Sequence, residues 1–195
     1  MAPSRYTVRP SLLLIAFWLG HTSPAAEPPA AQPATVRDVS FSGADHLSKG
    51  ELRDLTGVRA GDLISPVRNE RGRQAILRKY QEEGRLFASV ELIEGRSVSD
   101  TRVAYEIVEG PVVKVAEIQF RGTGRVGAEK LLAAKRASGA ITGKTLRPDA
   151  IETDVKTLVG YYRELGSAGT KITPEVIRSS DLAKVTIVYH VSESN

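Results

Sequence analysis

The chain has 195 residues, 41% of them hydrophobic and 26% charged, which excludes a collagen-like or wholly disordered polypeptide. Its formal net charge of +4 falls to +2 once Arg5 and Arg9 are set aside with the first 25 residues, too even a balance for a dedicated nucleic-acid binder. The absence of cysteine removes disulfides, thiolate metal sites and cysteine nucleophiles together.

The N-terminus reads as an export signal. Arg5 and Arg9 precede an unbroken apolar run, Leu12 to Leu19, and Ser23-Pro24-Ala25 supplies small residues before a cut after Ala25. Eight helical residues span roughly 12 Å, far short of the ~30 Å hydrocarbon core. Residues 26–35 then read as an extended Pro/Ala linker, with folding beginning near Val36.

From there the chain repeats itself. Val39, Phe41 and Gly43 recur as Ile118, Phe120 and Gly122 at an offset of 79, with Leu52 on Leu131. At an offset of 82, Gly61 meets Gly143, Tyr80 meets Tyr162 and Gly84 meets Gly166; at 84, Val103 to Glu109 meets Ile187 to Glu193. An offset that only grows, at turns, marks two copies of one fold.

In the first copy Val39 and Phe41 alternate in a short strand, and Ser48 with Glu51 forms a capping box for a helix over 48–56 that Gly57 ends. A longer helix covers about 67–83, with Ile76, Leu77 and Tyr80 on its buried side and Gly84 as its stop. Ala88, Val90 and Leu92 alternate in one strand, and Val103, Tyr105 and Ile107 in the next. The second copy repeats the order: a strand at Ala116, Ile118 and Phe120, a helix over about 127–137, and a helix with Ile151, Val155, Leu158, Tyr162 and Leu165 in one stripe. The last strand carries Val185, Ile187, Tyr189 and Val191. The expectation is an α+β fold of two tandem β-α-α-β-β units, residues 36–110 and 112–193, each a three-stranded sheet with two helices on one face.

The stretch Tyr105-Glu-Ile-Val-Glu109-Gly110-Pro111 followed by Val115-Ala-Glu-Ile118-Gln-Phe120-Arg-Gly122 resembles the junction between consecutive POTRA (polypeptide-transport-associated) domains. The helix end Tyr80-Gln-Glu-Glu-Gly84 before Ala88 and Val90 fits the same pattern. Residues 36–193 are covered by this resemblance, whose members include the periplasmic arms of outer-membrane β-barrel assembly proteins (the BamA/TamA family). It departs at Gly166-Ser-Ala-Gly169, which lacks the usual aromatic, and at Pro174, which interrupts the penultimate strand and favours an edge or bulge. Too few residues follow for even an eight-stranded barrel of about 72 residues, so the reading is an arm without its barrel.

Other motifs fall to their contexts. Gly122-Thr-Gly124-Arg-Val-Gly127 is literally GxGxxG, but two helices follow it instead of a βαβ unit. Gly139 to Lys144-Thr145 is one residue short of a P-loop, because Ser138 stands where glycine belongs. His46, beside Asp45, and His190 have no second ligand at metal spacing, Ser48 is a helix cap, and Glu82-Glu83 merely end a helix. No catalytic, cofactor or metal site is expected, and no nucleic-acid or small-molecule partner.

The fold offers a sheet edge instead, able to accept an extended chain by β-augmentation. The POTRA resemblance implies the same mode, toward outer-membrane barrel proteins, their unfolded precursors or other assembly subunits in the periplasm of a diderm bacterium. The penultimate strands then carry the interface: Phe87, Ser89, Glu91 and Ile93 in the first copy, and Lys171 and Thr173 in the second, with Glu109, Gly110 and Pro111 joining the copies. Because Pro174 lacks an N–H, the first edge is expected to dock better, and proline at Ser89 or Glu91 to weaken docking more than proline near Lys171. Phe87 and Ile93 have a competing role in packing against the neighbouring copy. An envelope or cell-division adaptor is the alternative function, and a fragment of a barrel-bearing protein the third.

Overall fold

The computed structural model describes residues 34–135 and 139–194. The apolar N-terminal run, the cleavage site after Ala25 and residues 26–33 of the linker lie outside them. Among the described residues no helix is long and apolar enough to cross a membrane.

The first repeat consists of β1 (Asp38–Ser42), α1 (Lys49–Thr56), α2 (Pro66–Glu82), β2 (Ser89–Glu94) and β3 (Arg102–Val108). The second consists of β4 (Lys114–Arg121), α3 (Ala128–Ala134), α4 (Ala150–Glu164), β5 (Lys171–Arg178) and β6 (Lys184–Ser192). Each sheet places its last strand in the centre, in the orders β1-β3-β2 and β4-β6-β5. The first strand of each repeat runs parallel to the central one and the penultimate strand antiparallel. This is the α+β arrangement the repeat pattern predicts, with both penultimate strands at sheet edges.

The local signals act where the sequence puts them. The Ser48 hydroxyl accepts from the Glu51 amide while the Glu51 carboxylate accepts from the Ser48 amide, closing the capping box. Pro66 opens α2 behind an Ser65 cap, one residue before the expected start. Gly43 and Gly122 are glycines for a steric reason: a Cβ there would sit 2.0 Å from the Ile107 carbonyl oxygen and 2.4 Å from that of Val191. Ala34 and Thr35, assigned from sequence to the linker, are bound into the first repeat. The Ala34 amide donates to the Val98 carbonyl and its carbonyl accepts from Ile64, and Thr35 bridges to Leu63.

Alternate residues of the central strands meet the helices. Val103, Tyr105 and Ile107 pack with Leu52, Ile76 and Tyr80; Val185, Ile187 and Tyr189 pack with Leu131, Leu158 and Tyr162. Phe41 stacks on Tyr105 with ring centroids 5.4 Å apart, and Phe120 on Tyr189 at 5.6 Å. One expected stripe is rotated. The core face of α4 is Ala150, Asp154, Leu158 and Tyr162, with Ile151 and Val155 at its margin and Leu165 half exposed. The i, i+4 spacing still holds, but a carboxylate occupies its middle because α3 supplies a cation opposite it.

Candidate protein-docking interface

The edge of β2 forms one wall of a groove of about 590 Å³ whose other wall is α2, with Pro66, Leu77 and Ala88 among its lining. Two arginines reach into it. Arg73 of α2 donates from Nη1 to the Val90 carbonyl at 3.2 Å, and Arg96, just beyond β2, donates from Nε to the Leu92 carbonyl at 2.6 Å. In an antiparallel pair alternate residues turn their N–H and C=O toward the partner strand, and the residues between turn both away. Val90 and Leu92 therefore carry the outward-facing main-chain groups, while Ser89 and Glu91 face β3 at Val108 and Glu106.

That geometry corrects two expectations. The side chains of Ser89 and Glu91 are exposed on the open face of the sheet, beside the edge, but their amides face β3 and not the free edge. Proline at either position would delete a bond to β3 instead of a bond to a partner. Phe87 lies before β2 and packs against the second core, with the Arg178 guanidinium 5.1 Å from its ring centroid. It is a partly buried contact between repeats. Ile93 is half exposed and has no partner on β3, because the register slips between Leu92 and Glu94.

The second edge is built differently. Contrary to the expected interruption, β5 runs unbroken through Pro174 in regular register from Lys171 opposite Ser192 to Arg178 opposite Val185. The Ser179 amide donates to the Lys184 carbonyl, which fixes the alternation and turns Pro174 outward. The free edge thus lacks a donor at that residue. Lys171 and Thr173 are exposed, and Thr173 stands opposite His190, whose ring contacts Glu175 at 2.7 Å.

The junction residues form a clamp. Glu109 Oε1 accepts from the amides of Asp45 and His46, at 2.9 and 2.8 Å, and from the Tyr80 hydroxyl at 2.8 Å. Burial works to raise the Glu109 pKa, but these donors outweigh it and hold the carboxyl below its ordinary range. Arg85 donates to the Gly110 carbonyl, and the Val113 amide just past Pro111 donates to Gly84 at 2.8 Å. The second repeat builds the same clamp from the residues that align with these: Glu193 accepts from the Arg125 amide and the Tyr162 hydroxyl, each at 2.8 Å.

The glycine-rich turns already have occupants. The amides of 124–126 point at the Glu193 carboxylate, where a dinucleotide phosphate would sit in a binding turn. In the 139–145 turn the amides of Gly143 and Lys144 donate to the carbonyls of Val115 and Ile141, and that of Ala140 to Asp154. His46 pairs with Glu83 at 3.0 Å. Among the described residues no three His, Cys, Asp or Glu side chains converge as a metal site.

Sequence reasoning missed Arg73 and Arg96, and the buried pair Lys135 and Asp154, 3.2 Å apart. The Tyr189 hydroxyl donates to Asp154 at 2.6 Å, and its pKa is driven upward by burial and then by that bond. A signal existed for one pair: Glu70 and Arg73 stand at i, i+3 on α2, three residues ahead of core Ile76.

The POTRA family, "Surface antigen variable number repeat", matches residues 34–110 and 113–194. A Treponema pallidum (strain Nichols) protein named "Putative outer membrane protein assembly factor" is 22% identical over 167 residues, covering 82% of this chain and 20% of its own length. The chain therefore spans about a fifth of that relative. Among solved structures, POTRA3-5 of Haemophilus influenzae BamA gives a TM-score of 0.55 at 16% identity, over 88% of this chain and 70% of that one. BamA from Haemophilus ducreyi lacking POTRA domains 1-3 gives 0.53 at 19%, over 85% and 30%. At such identities the likeness to both structures is one of fold.

Proposed function

The chain belongs to the POTRA family, and from that premise we propose that it is a non-catalytic, exported periplasmic module that docks extended protein segments along β2. The segments are those of outer-membrane barrel precursors or of partner subunits during outer-membrane protein assembly or secretion. The observation that carries this reading is the edge itself: the main-chain groups of Val90 and Leu92 turn outward into a groove of about 590 Å³. Main-chain bonding of this kind tolerates many sequences, which suits a module that handles unfolded clients. The name of the Treponema relative supports the assembly setting. The non-catalytic part is supported by the glycine-rich turns, whose amides are spent on internal acceptors.

In-cell photo-crosslinking tests it. A crosslinker at Ser89 or Glu91 lies on the open face beside the edge, where it would touch the side chains of a docked strand. Capture of a barrel precursor from these positions, with clearly lower yield from Thr173, is the expected result. Equal yield from both repeats would overturn the preference for β2. Capture of inner-membrane proteins alone would replace the assembly role with that of an envelope adaptor.

A further inference from the structure

The two arginines that bond β2 carbonyls do opposite things with their charge. Arg73 is neutralised by a bidentate pair with Glu70, Nη2 to Oε1 at 2.7 Å and Nε to Oε2 at 3.0 Å. Its bond to the Val90 carbonyl uses a remaining donor. Arg96 is exposed and bonds the Leu92 carbonyl, and among the described residues no carboxylate lies within 4.0 Å of it. Glu70 feels Arg96 only through space, as a small contribution to a carboxyl already lowered chiefly by the Arg73 bond. Toward α2 the groove thus holds the paired Arg73 and Glu70, with Arg96 as the cation that has no carboxylate against it. Glu91 lines the same groove from the exposed side of β2, and makes no ion pair with Arg96.

Resting on the docking role of β2, the geometry points to Arg96 as a selecting guard: it caps the edge until an extended segment with an acidic side chain facing the groove displaces it and takes its charge. The reasoning is a balance of hydrogen bonds. A strand that pairs with β2 must donate its own amides to Val90 and Leu92, and each donation displaces a guanidinium. Arg73 retains Glu70 when displaced, so its release leaves no uncompensated group in the groove. Arg96 loses a charge-assisted bond and regains it only if the incoming segment brings a carboxylate. Docked residues two apart point the same way and stand roughly 7 Å from one another, so a single position on the segment meets Arg96. A neutral segment displaces the same cap and leaves the guanidinium only water in exchange. The unliganded protein keeps its edge closed to random pairing, as charged side chains on edge strands do elsewhere.

The test uses the folded chain and blocked eight-residue peptides of alternating apolar and hydroxyl residues. These carry one Glu, or one Gln, moved through each groove-facing position. A third peptide bears N-methyl groups on alternate amides so that it cannot add to a sheet. Affinity is read by fluorescence anisotropy at low salt, with far-UV circular dichroism confirming that Arg96→Ala remains folded. At its best position the Glu peptide should bind the unaltered chain about fivefold tighter than the Gln peptide. In Arg96→Ala that preference should vanish, while the Gln peptide should bind more tightly than before because the cap is gone. Equal binding of the two peptides to the unaltered chain, or a preference that survives Arg96→Ala, would overturn the selecting role and leave docking on β2 intact. If neither peptide binds, or the N-methylated one binds as well, docking on β2 fails and the guard with it.

Discussion

The two repeats share a core plan and disagree at one seam. Where the first short helix meets the second, repeat one places Thr56 against Gly72, and a Cβ on Gly72 would stand 3.0 Å from the Thr56 Cβ and 2.9 Å from the Tyr105 hydroxyl. At the same offsets, 79 and 82, repeat two places Lys135 against Asp154, both almost wholly buried. What stays constant is the hydroxyl of the central-strand tyrosine and its need for an acceptor. Tyr105 donates to the Asn69 carbonyl at 3.0 Å, Tyr189 to the Asp154 carboxylate at 2.6 Å. Small residues solve the problem by letting the ring reach main chain. A carboxylate solves it directly, but then needs a cation, and Lys135 supplies one while also donating to the Ala140 carbonyl.

This contrast breaks most sharply at Asp154. Asp154→Ala strands the Lys135 ammonium in the core and removes the acceptor of Tyr189, so the expected loss is about 3–5 kcal/mol. The change Gly72→Ala in repeat one should cost less, since its neighbours lose no charge partner. Lys135→Met with Asp154→Asn keeps an acceptor for Tyr189 and removes both charges, and should recover all but about 1–2 kcal/mol of the loss. Chemical denaturation of the three variants decides it. A cost below about 1 kcal/mol for Asp154→Ala would mean the pair contributes little.

A second contrast separates a turn from a joint. Gly84 and Gly166 end the long helices of their repeats with φ of 86° and 82°. Gly166 has nothing within 4 Å of a notional Cβ, whereas at Gly84 that atom would lie 2.2 Å from Thr145 Cγ2 in the other repeat. Gly166→Ala therefore costs only the left-handed backbone, about 1–2 kcal/mol. Gly84→Ala should cost a further ~1–3 kcal/mol for the collision between repeats. Adding Thr145→Ala should abolish that excess and bring the two glycines level. If thermal melts show equal losses with Thr145 intact, the repeats are not coupled through Gly84.

The fold was legible because its signals are periodic and occur twice. Tyr80, Phe41, Gly43 and Glu109 recur as Tyr162, Phe120, Gly122 and Glu193, and each recurring residue makes the same contact in both repeats. The proposed docking edge was legible as a strand and misread as a surface. Alternation along β2 tells which side chains leave the sheet, but main-chain groups leave along the perpendicular direction, so Ser89 and Glu91 mark the face and Val90 and Leu92 the edge. Arg73 and Arg96 were passed over because a long cation reads as solvated until its carbonyl partner is in view. Asp154 was missed for the converse reason. A carboxylate beside Val155 looks exposed, and only the approach of Lys135 makes its burial tolerable.

The smallest expected difference lies between the two carboxylate clamps, and it turns on how many oxygens each uses. Glu109 gathers its three bonds on Oε1, and the two lone pairs of a glutamine oxygen there leave one of those donors unpaired. Glu193 divides its bonds, the Arg125 amide on Oε2 and the Tyr162 hydroxyl on Oε1, so a glutamine can accept from the amide and donate to the hydroxyl, which also accepts. At neutral pH Glu109→Gln should therefore lower the melting temperature more than Glu193→Gln, though the partial exposure of both groups keeps the shifts small. Both carboxyls are held below their ordinary pKa, burial opposing and their donors prevailing. Their contribution is thus fully present above the unfolded carboxylate pKa, and is lost as pH falls through that value toward the lower folded one. The gap between each variant and the unaltered chain should accordingly be constant from pH 8 to about 6 and close on acidification. A gap that persists unchanged under acid conditions would show that the charge of the clamp does nothing for the fold. A larger effect at Glu193 would show that the number of donors on one oxygen does not set the weight of these clamps.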